Sequence, residues 1–175
     1  MADLPNQSID LILTDLPYGT TSCLWDCIIP FDELWVQYKR LIKKGGAIVL
    51  TSSQPFTSAL IMSNPKWFKC EWIWEKNNCS NFQLAKFQPL KNHESVLVFS
   101  EPKIKTNYYP QDLVKVNWTC SNKSKSRNLK HIQITKEEYH QEFTNYPKSI
   151  FKFNVERGLH PTQKPVKLLE YLHTT

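Results

Sequence analysis

Apolar residues fall in short blocks along this chain, and the blocks have two different periods. Residues 9–14 (IDLILT) form a nearly continuous apolar run followed at once by turn chemistry, which predicts a buried strand. In FDELWVQYKRLIK the apolar positions are Phe31, Leu34, Trp35, Tyr38, Leu41 and Ile42. Their offsets of 0, 3, 4, 7, 10 and 11 trace one face of a helix. Gly45 and Gly46 follow, and glycine just past a helix predicts its stop there. AIVLT (47–51) reads as a second buried strand. SSQPFTSALIMSN fits a second helix, with Ser53 as N-cap, Pro55 in the first turn and Pro65 just beyond the end. CEWIWEK (70–76) and SVLVFS (95–100) read as strands, with Trp72 and Trp74 alternating into the core. Strands alternating with helices predict an α/β sheet with helices packed on it.

The pattern changes after residue 101. Residues 102–158 are polar and weakly periodic, with Tyr108, Tyr109, Trp118, Tyr139 and Tyr146 interspersed. They hold 11 Lys/Arg against 5 Asp/Glu, and the rest of the chain holds 11 of each, so this segment carries the whole net charge of +6. A basic segment on a neutral body predicts a polyanionic partner, or else a solvated lysine-rich loop. Lys123, Lys125, Arg127 and Lys130 are its candidate phosphate contacts. The expected organisation is a core over 1–101, a basic insertion over 102–158 and a closing segment over 159–175. QKPVKLLEYLHTT starts a helix there.

With 175 residues, 41% hydrophobic and 22% charged, the chain is long enough for one domain with a real core. No apolar run approaches the roughly 20 residues that span a bilayer. MADLPNQSID has neither the basic nor the apolar region of a signal peptide, so an intracellular, cytoplasmic protein without a membrane partner is expected. Cys23, Cys27, Cys70, Cys79 and Cys120 contain no C-x-x-C pair, and reduced structural thiols without a zinc site are expected.

The candidate chemistry sits in LTDLPYGTT (13–21). In open α/β sheets ligands bind outside the carboxyl ends of strands, and Asp15 follows such an end. Pro17 fixes its own φ and restricts Leu16 to extended geometry, which aims the Leu16 carbonyl beside the Asp15 carboxylate. Two acceptors aimed at one point suit an amino group, and Tyr18 offers a flat face for a planar heterocycle. That arrangement fits the exocyclic amine of a nucleobase taken out of its duplex. Taken alone, Asp-x-Pro after a strand is equally ordinary turn chemistry.

DLPYGTT, LWD (24–26) and HPTQKPVKLLEYL (160–172), in this order, resemble the amino-methylating DNA methyltransferases, the adenine-N6 and cytosine-N4 enzymes of the β motif order. EWIWEKNNCSNF and NHESVLVFS look like that family's central strands, and YPKSIFKFNVERGLHPTQKP like the approach to its late motif. The resemblance implies a Rossmann-like S-adenosylmethionine-dependent methyltransferase sheet with helices on both faces, and double-stranded DNA as substrate. It implies methyl transfer to adenine N6 or cytosine N4, in a bacterial or phage restriction–modification setting. Asp15, Leu16, Pro17 and Tyr18 become its catalytic loop, with leucine where the family usually has proline. His160, Thr162, Gln163, Lys164 and Pro165 become cofactor contacts.

The family's glycine-rich cofactor loop has no counterpart. Gly19, Gly45, Gly46 and Gly158 form no G-x-G. That loop would follow Thr175, so the sheet is expected to be incomplete, with an open edge that a homodimer partner or a second chain would cover. A non-catalytic DNA-binding or regulatory remnant is therefore the alternative to an enzyme, and an RNA or small-molecule methyltransferase a third reading. Trp25 and Asp26 are expected either to line the base pocket or to pack, Asn77 and Asn78 to touch DNA or form a turn, and His93 with Glu94 to be structural.

Overall fold

The computed structural model describes residues 1, 3–21, 23–121, 138–156, 158 and 162–175. The elements are β1 (Ile9–Asp15), α1 (Phe31–Leu41), β2 (Ile42–Ser52), α2 (Phe56–Ser63), β3 (Phe68–Ser80), β4 (Lys91–Phe99), β5 (Val114–Ser121), β6 (Glu138–Thr144), β7 (Ile150–Lys152) and α3 (Val166–Thr174). A five-stranded sheet runs in the order β1-β2-β4-β3-β7. The β1/β2 and β3/β7 pairs are parallel, and β4 is antiparallel to both of its neighbours. The carboxyl ends of β1, β2 and β3 therefore meet the amino end of β4 along one rim. Among the described residues β1 pairs on one side only, so the expected open edge is present.

Alternation along the strands divides the core in two. Ile48, Leu50, Leu97 and Phe99 face Leu34, Trp35 and Tyr38 of α1 and Phe56 and Leu60 of α2. Val49, Val96, Val98 and Trp74 face Leu168 and Leu172 of α3 on the opposite side. Helices thus cover both faces, as the sequence resemblance implies. Trp74 is fully buried and its indole N–H donates to the Phe153 carbonyl at 2.9 Å, while Trp72 is half-buried. Among the described residues no helix is long and apolar enough to cross a membrane.

Two local expectations differ from what is found. Helix α1 ends at Leu41, not at the glycines, and Ile42 is already extended at φ −71°, ψ 134°. Ile42 is buried and pairs with Ile9, so sheet formation captures the chain first. Gly46 serves close approach instead, because a Cβ there would lie 2.7 Å from the Asp10 carbonyl oxygen. Ser53 does not cap α2, which has Pro55 at its N-cap position and no side-chain cap. Gln54 Oε1 accepts from the Ser58 hydroxyl at 2.9 Å, and the Ser53 hydroxyl is taken by Lys91.

A second compact unit comprises Pro110–Pro147, inside the basic segment. Its antiparallel β5–β6 pair aligns Val114 with Thr144 and Trp118 with Gln141, and Trp118 and Tyr139 are exposed. Lys123, Lys125, Arg127 and Lys130 lie outside the described residues.

The loop leaving β1 is tied down by one carboxylate. Asp26 accepts backbone N–H groups of Gly19 (2.9 Å), Thr20 (2.9 Å) and Thr21 (2.7 Å). Gly19 has φ +65°, and its missing side chain leaves room for Ile28, whose Cγ1 would be 2.9 Å from a Cβ. Burial pulls the Asp26 pKa upward, but hydrogen bonds from Gly19, Thr21 and Thr20 outweigh it and bring the pKa down to about 2. A depressed folded-state pKa means that this tether is at full strength above the ordinary value of 3.8 and fails as pH falls through about 2. Amide exchange should check this. We expect Asp26→Asn to speed exchange at Gly19, Thr20 and Thr21, and to remove the acid-dependent loosening that the wild type shows between 3.8 and about 2.

Candidate active site

The β1–β2 register sets Asp15 directly opposite Thr51. Asp15 follows Leu11 and Leu13 in the side-chain alternation, so it points to the α3 face, while Leu16 turns into the α1/α2 core and is only 6% exposed. Leucine at position 16 is thus the anchor of the loop. Asp15 Oδ1 accepts from the Tyr18 hydroxyl at 2.8 Å and from the Thr51 hydroxyl. Tyr18 Oη is also 3.0 Å from Thr51 Oγ1, but it has one proton. Its donation to Asp15 leaves the carboxylate with both hydroxyls and is the arrangement consistent with the Thr51 donation. Burial, then the negative charge of Asp15, drives the Tyr18 phenol well above its ordinary pKa, so it remains a donor. The Tyr18 ring stacks on Phe56 with centroids 5.3 Å apart and planes at 27°.

The other oxygen of Asp15 meets a lysine. Lys164 Nζ lies 3.0 Å from Asp15 Oδ2 and 3.1 Å from Glu94 Oε2, and 5.5 Å from the Tyr18 ring centroid. Glu94 pairs with Trp74 in the sheet and shares the side-chain face of Val96 and Val98, so it arrives at the same rim from β4. Its Oε1 is ion-paired with Lys76. Desolvation lowers the pKa of Lys91 nearby, Glu94 opposes that shift, and Lys76 adds to it.

Two cavities meet at this cluster. One, of about 410 Å³, is lined by Asp15, Leu16, Pro17, Tyr18, Glu94 and Lys164 among others. The other, of about 450 Å³, is lined by Leu13, Asp15, Thr51, Gln163, Lys164 and Leu169 among others. Asp15, Trp25, Thr162 and Lys164 border both. A larger groove of about 510 Å³ lies on the same sheet face over Leu11, Val49, Val98, Trp72 and Leu172. Its lining is mostly apolar, whereas the ion-paired acids and lysines gather at the rim, which makes the paired cavities the candidate site.

Of the residues singled out in the sequence, Asp15, Leu16, Pro17, Tyr18, Thr162 and Lys164 come together on the first cavity and Gln163 on the second. Pro165 is buried and precedes α3 as its N-cap residue. His160 lies outside the described residues. Trp25 lines both cavities, and Asp26 lines the first while holding the loop. Asn77 Oδ1 accepts the Val155 N–H at 2.9 Å, which is a structural tie. Sequence reading missed Thr51, Lys76 and Lys91, and took Glu94 as structural. One signal was present for Glu94: it shares a period-2 face with Val96 and Val98, and an acid entering an apolar face needs partners.

Comparison with known proteins identifies the family and the fold. The DNA methylase family profile, of the N6/N4 type, matches residues 9–172. The crystal structure of an M1.HpyAVI–SAM complex is similar at 23% identity and TM-score 0.51, over 94% of this chain and 65% of that one. A further M1.HpyAVI structure matches at 19% identity and TM-score 0.50, over 97% and 65%. PvuII DNA methyltransferase, cytosine-N4-specific, matches at 12% identity and TM-score 0.59, over 98% and 64%. The chain therefore spans just under two thirds of the length of these structures, and at such identities the likeness speaks for the fold alone. No curated protein sequence matches. The sheet order, the loop at its rim and the match over 9–172 lead to one conclusion: this chain belongs to the N6/N4 DNA methylase family.

Proposed function

We propose that this chain transfers a methyl group from S-adenosylmethionine to the exocyclic amine of a DNA base, N6 of adenine or N4 of cytosine. The observation that carries this reading is the Asp15 carboxylate on the wall shared by two cavities. Methyl transfer needs the acceptor nitrogen and the donor methyl in direct line at one point, and Asp15 stands where the two cavities meet. The second cavity sets Thr51, Thr162 and Gln163 beside apolar Leu13 and Leu169, a mixed lining that fits a zwitterionic ligand with a nucleoside part. Those residues would hold the cofactor, with His160 and Pro165 beside them in sequence. When bound, the cofactor supplies an electrophilic methyl group on a sulfonium.

This chain's residues orient and polarise. An exocyclic amine is a poor nucleophile because its lone pair is delocalised into the ring. Asp15 Oδ2 and the Leu16 carbonyl accept its two N–H groups and favour a more tetrahedral nitrogen. Tyr18 and Thr51 fix Oδ1, so the carboxylate is held in place before the amine arrives. As positive charge builds on the nitrogen, the carboxylate stabilises it. Tyr18 provides the flat surface for the base, with Phe56 behind it. The basic segment supplies sequence-blind attraction to phosphates.

Three measurements test this. Transfer of tritiated methyl to duplex DNA, with mass spectrometry of the product base, should label an amino nitrogen; label only on RNA or free nucleotides would favour a different substrate class. Asp15→Ala should lower that rate by about 100-fold or more while calorimetric S-adenosylmethionine affinity changes little. No heat at millimolar cofactor, with DNA binding intact, would leave a DNA-binding remnant as the reading. Replacing Lys123, Lys125, Arg127 and Lys130 together by alanine should flatten the plot of log affinity against log salt by about 3 to 4 units, at roughly 0.9 per phosphate contact.

A further inference from the structure

Lys164 stands where the proposed mechanism needs the target amine. Its ammonium touches Asp15 Oδ2 at 3.0 Å and lies 5.5 Å from the centroid of the Tyr18 ring. Like the amine of a base, it is an N–H donor set against that carboxylate and that ring. The lysine side chain is 9% exposed, whereas that of Asp15 is 39% exposed. A cation so enclosed needs anions around it.

Glu94 is the second anion. Its side chain is 14% exposed, on the strand face that continues into Val96 and Val98. Oε1 is engaged by Lys76. Oε2 is buried and, among the described residues, makes no directed hydrogen bond, yet it lies 3.1 Å from Lys164 Nζ. It therefore has acceptor capacity in reserve, next to an ammonium that is shared with Asp15. Asp15 and Glu94 face Lys164 and Lys76, with Lys91 beside Glu94 and Lys76, and the charge of this cluster is unchanged if Lys164 moves wholly to Glu94.

We propose that Lys164 is a displaceable stand-in for the target amine, and that Glu94 is the positioning residue that receives it when the base arrives. This rests on the amino-methyltransferase reading. In the free protein Lys164 satisfies Asp15 and covers Tyr18. When the base arrives, its amine takes Asp15 Oδ2 and its ring takes Tyr18, while Lys164 keeps one carboxylate partner. Without Glu94, the base would have to strip the ammonium from its last anion. Glu94 thus sets how readily a base is admitted and leaves the methyl-transfer step alone.

The test has a ligand-free and a ligand-bound arm. In the free protein, proton–nitrogen correlation spectra of nitrogen-15 lysine should show an exchange-protected ammonium at neutral pH that is absent from Lys164→Met. In the second arm, duplexes found to be methylated keep their natural target base and carry a fluorescent label at one end, so that binding is read by anisotropy and KM is measured on the same duplexes. Glu94→Gln should raise the half-saturating duplex concentration and KM by about tenfold, with kcat within about twofold. Lys164→Met/Glu94→Gln should regain wild-type duplex affinity, because no ammonium remains to be moved. A double variant as weak as Glu94→Gln would mean that Glu94 is structural and would overturn the proposal. So would a missing protected ammonium in a chain that methylates DNA, which leaves the functional reading standing. A protected ammonium in a chain that neither binds nor methylates any duplex sinks the functional reading, and the stand-in role with it.

Discussion

The parallel pairing of β1 with β2 is the constraint from which the rest of the site follows. It sets Asp15 opposite Thr51 at the rim, and the alternation along β1 then sends Asp15 to one face and Leu16 to the other. A slip of one residue would reverse both, placing the carboxylate in the α1/α2 core and the leucine in the cavity. The buried run Ile48 to Leu50 on β2 and the close approach at Gly46 hold that register. The geometry of the candidate site is thus a product of hydrophobic pairing one strand-length away from it.

The strand register also explains how four elements contribute to one small volume. Asp15 comes from β1, Thr51 from β2, Glu94 from β4, and Lys164 from just before α3. Antiparallel β4 is what brings Glu94 there, since its amino end lies beside the carboxyl ends of its neighbours. A fully parallel sheet would have placed that residue at the far rim. The mixed topology therefore sets an acid opposite the acid of the loop, and a single lysine between them.

Much of this was legible in the sequence, and the limits have physical causes. The face of α1 was readable because Phe31, Leu34, Trp35, Tyr38 and Leu41 recur at helical spacing. Alternating strands and helices gave a sheet with helices packed on it, and the family resemblance implied that they cover both faces. The loop at Asp15 was found because proline and tyrosine next to a strand-end acid are a local pattern. Glu94, Thr51 and Lys76 were missed because their importance is made by cross-strand neighbours, and strand order is a long-range property. The end of α1 and the cap of α2 were misjudged for a related reason. Local glycine and serine preferences, each worth about 1 kcal/mol, lost to burial of Ile42 and to the Lys91 contact at Ser53.

Leu16 gives the site an unusual dependence. The residue between the carboxylate and Pro17 is a core residue, packed with Leu34, Ile48, Leu50 and Phe56. The floor of the pocket is therefore continuous with the hydrophobic interior, while its rim is a hydrogen-bonded loop gathered by Asp26. Floor and rim respond to different insults. The floor stands or falls with the hydrophobic core, whereas the rim depends on the charge of Asp26. One pocket thus has a wall that answers to core packing and a wall that answers to a single carboxylate, and a substitution can disturb either without touching the other.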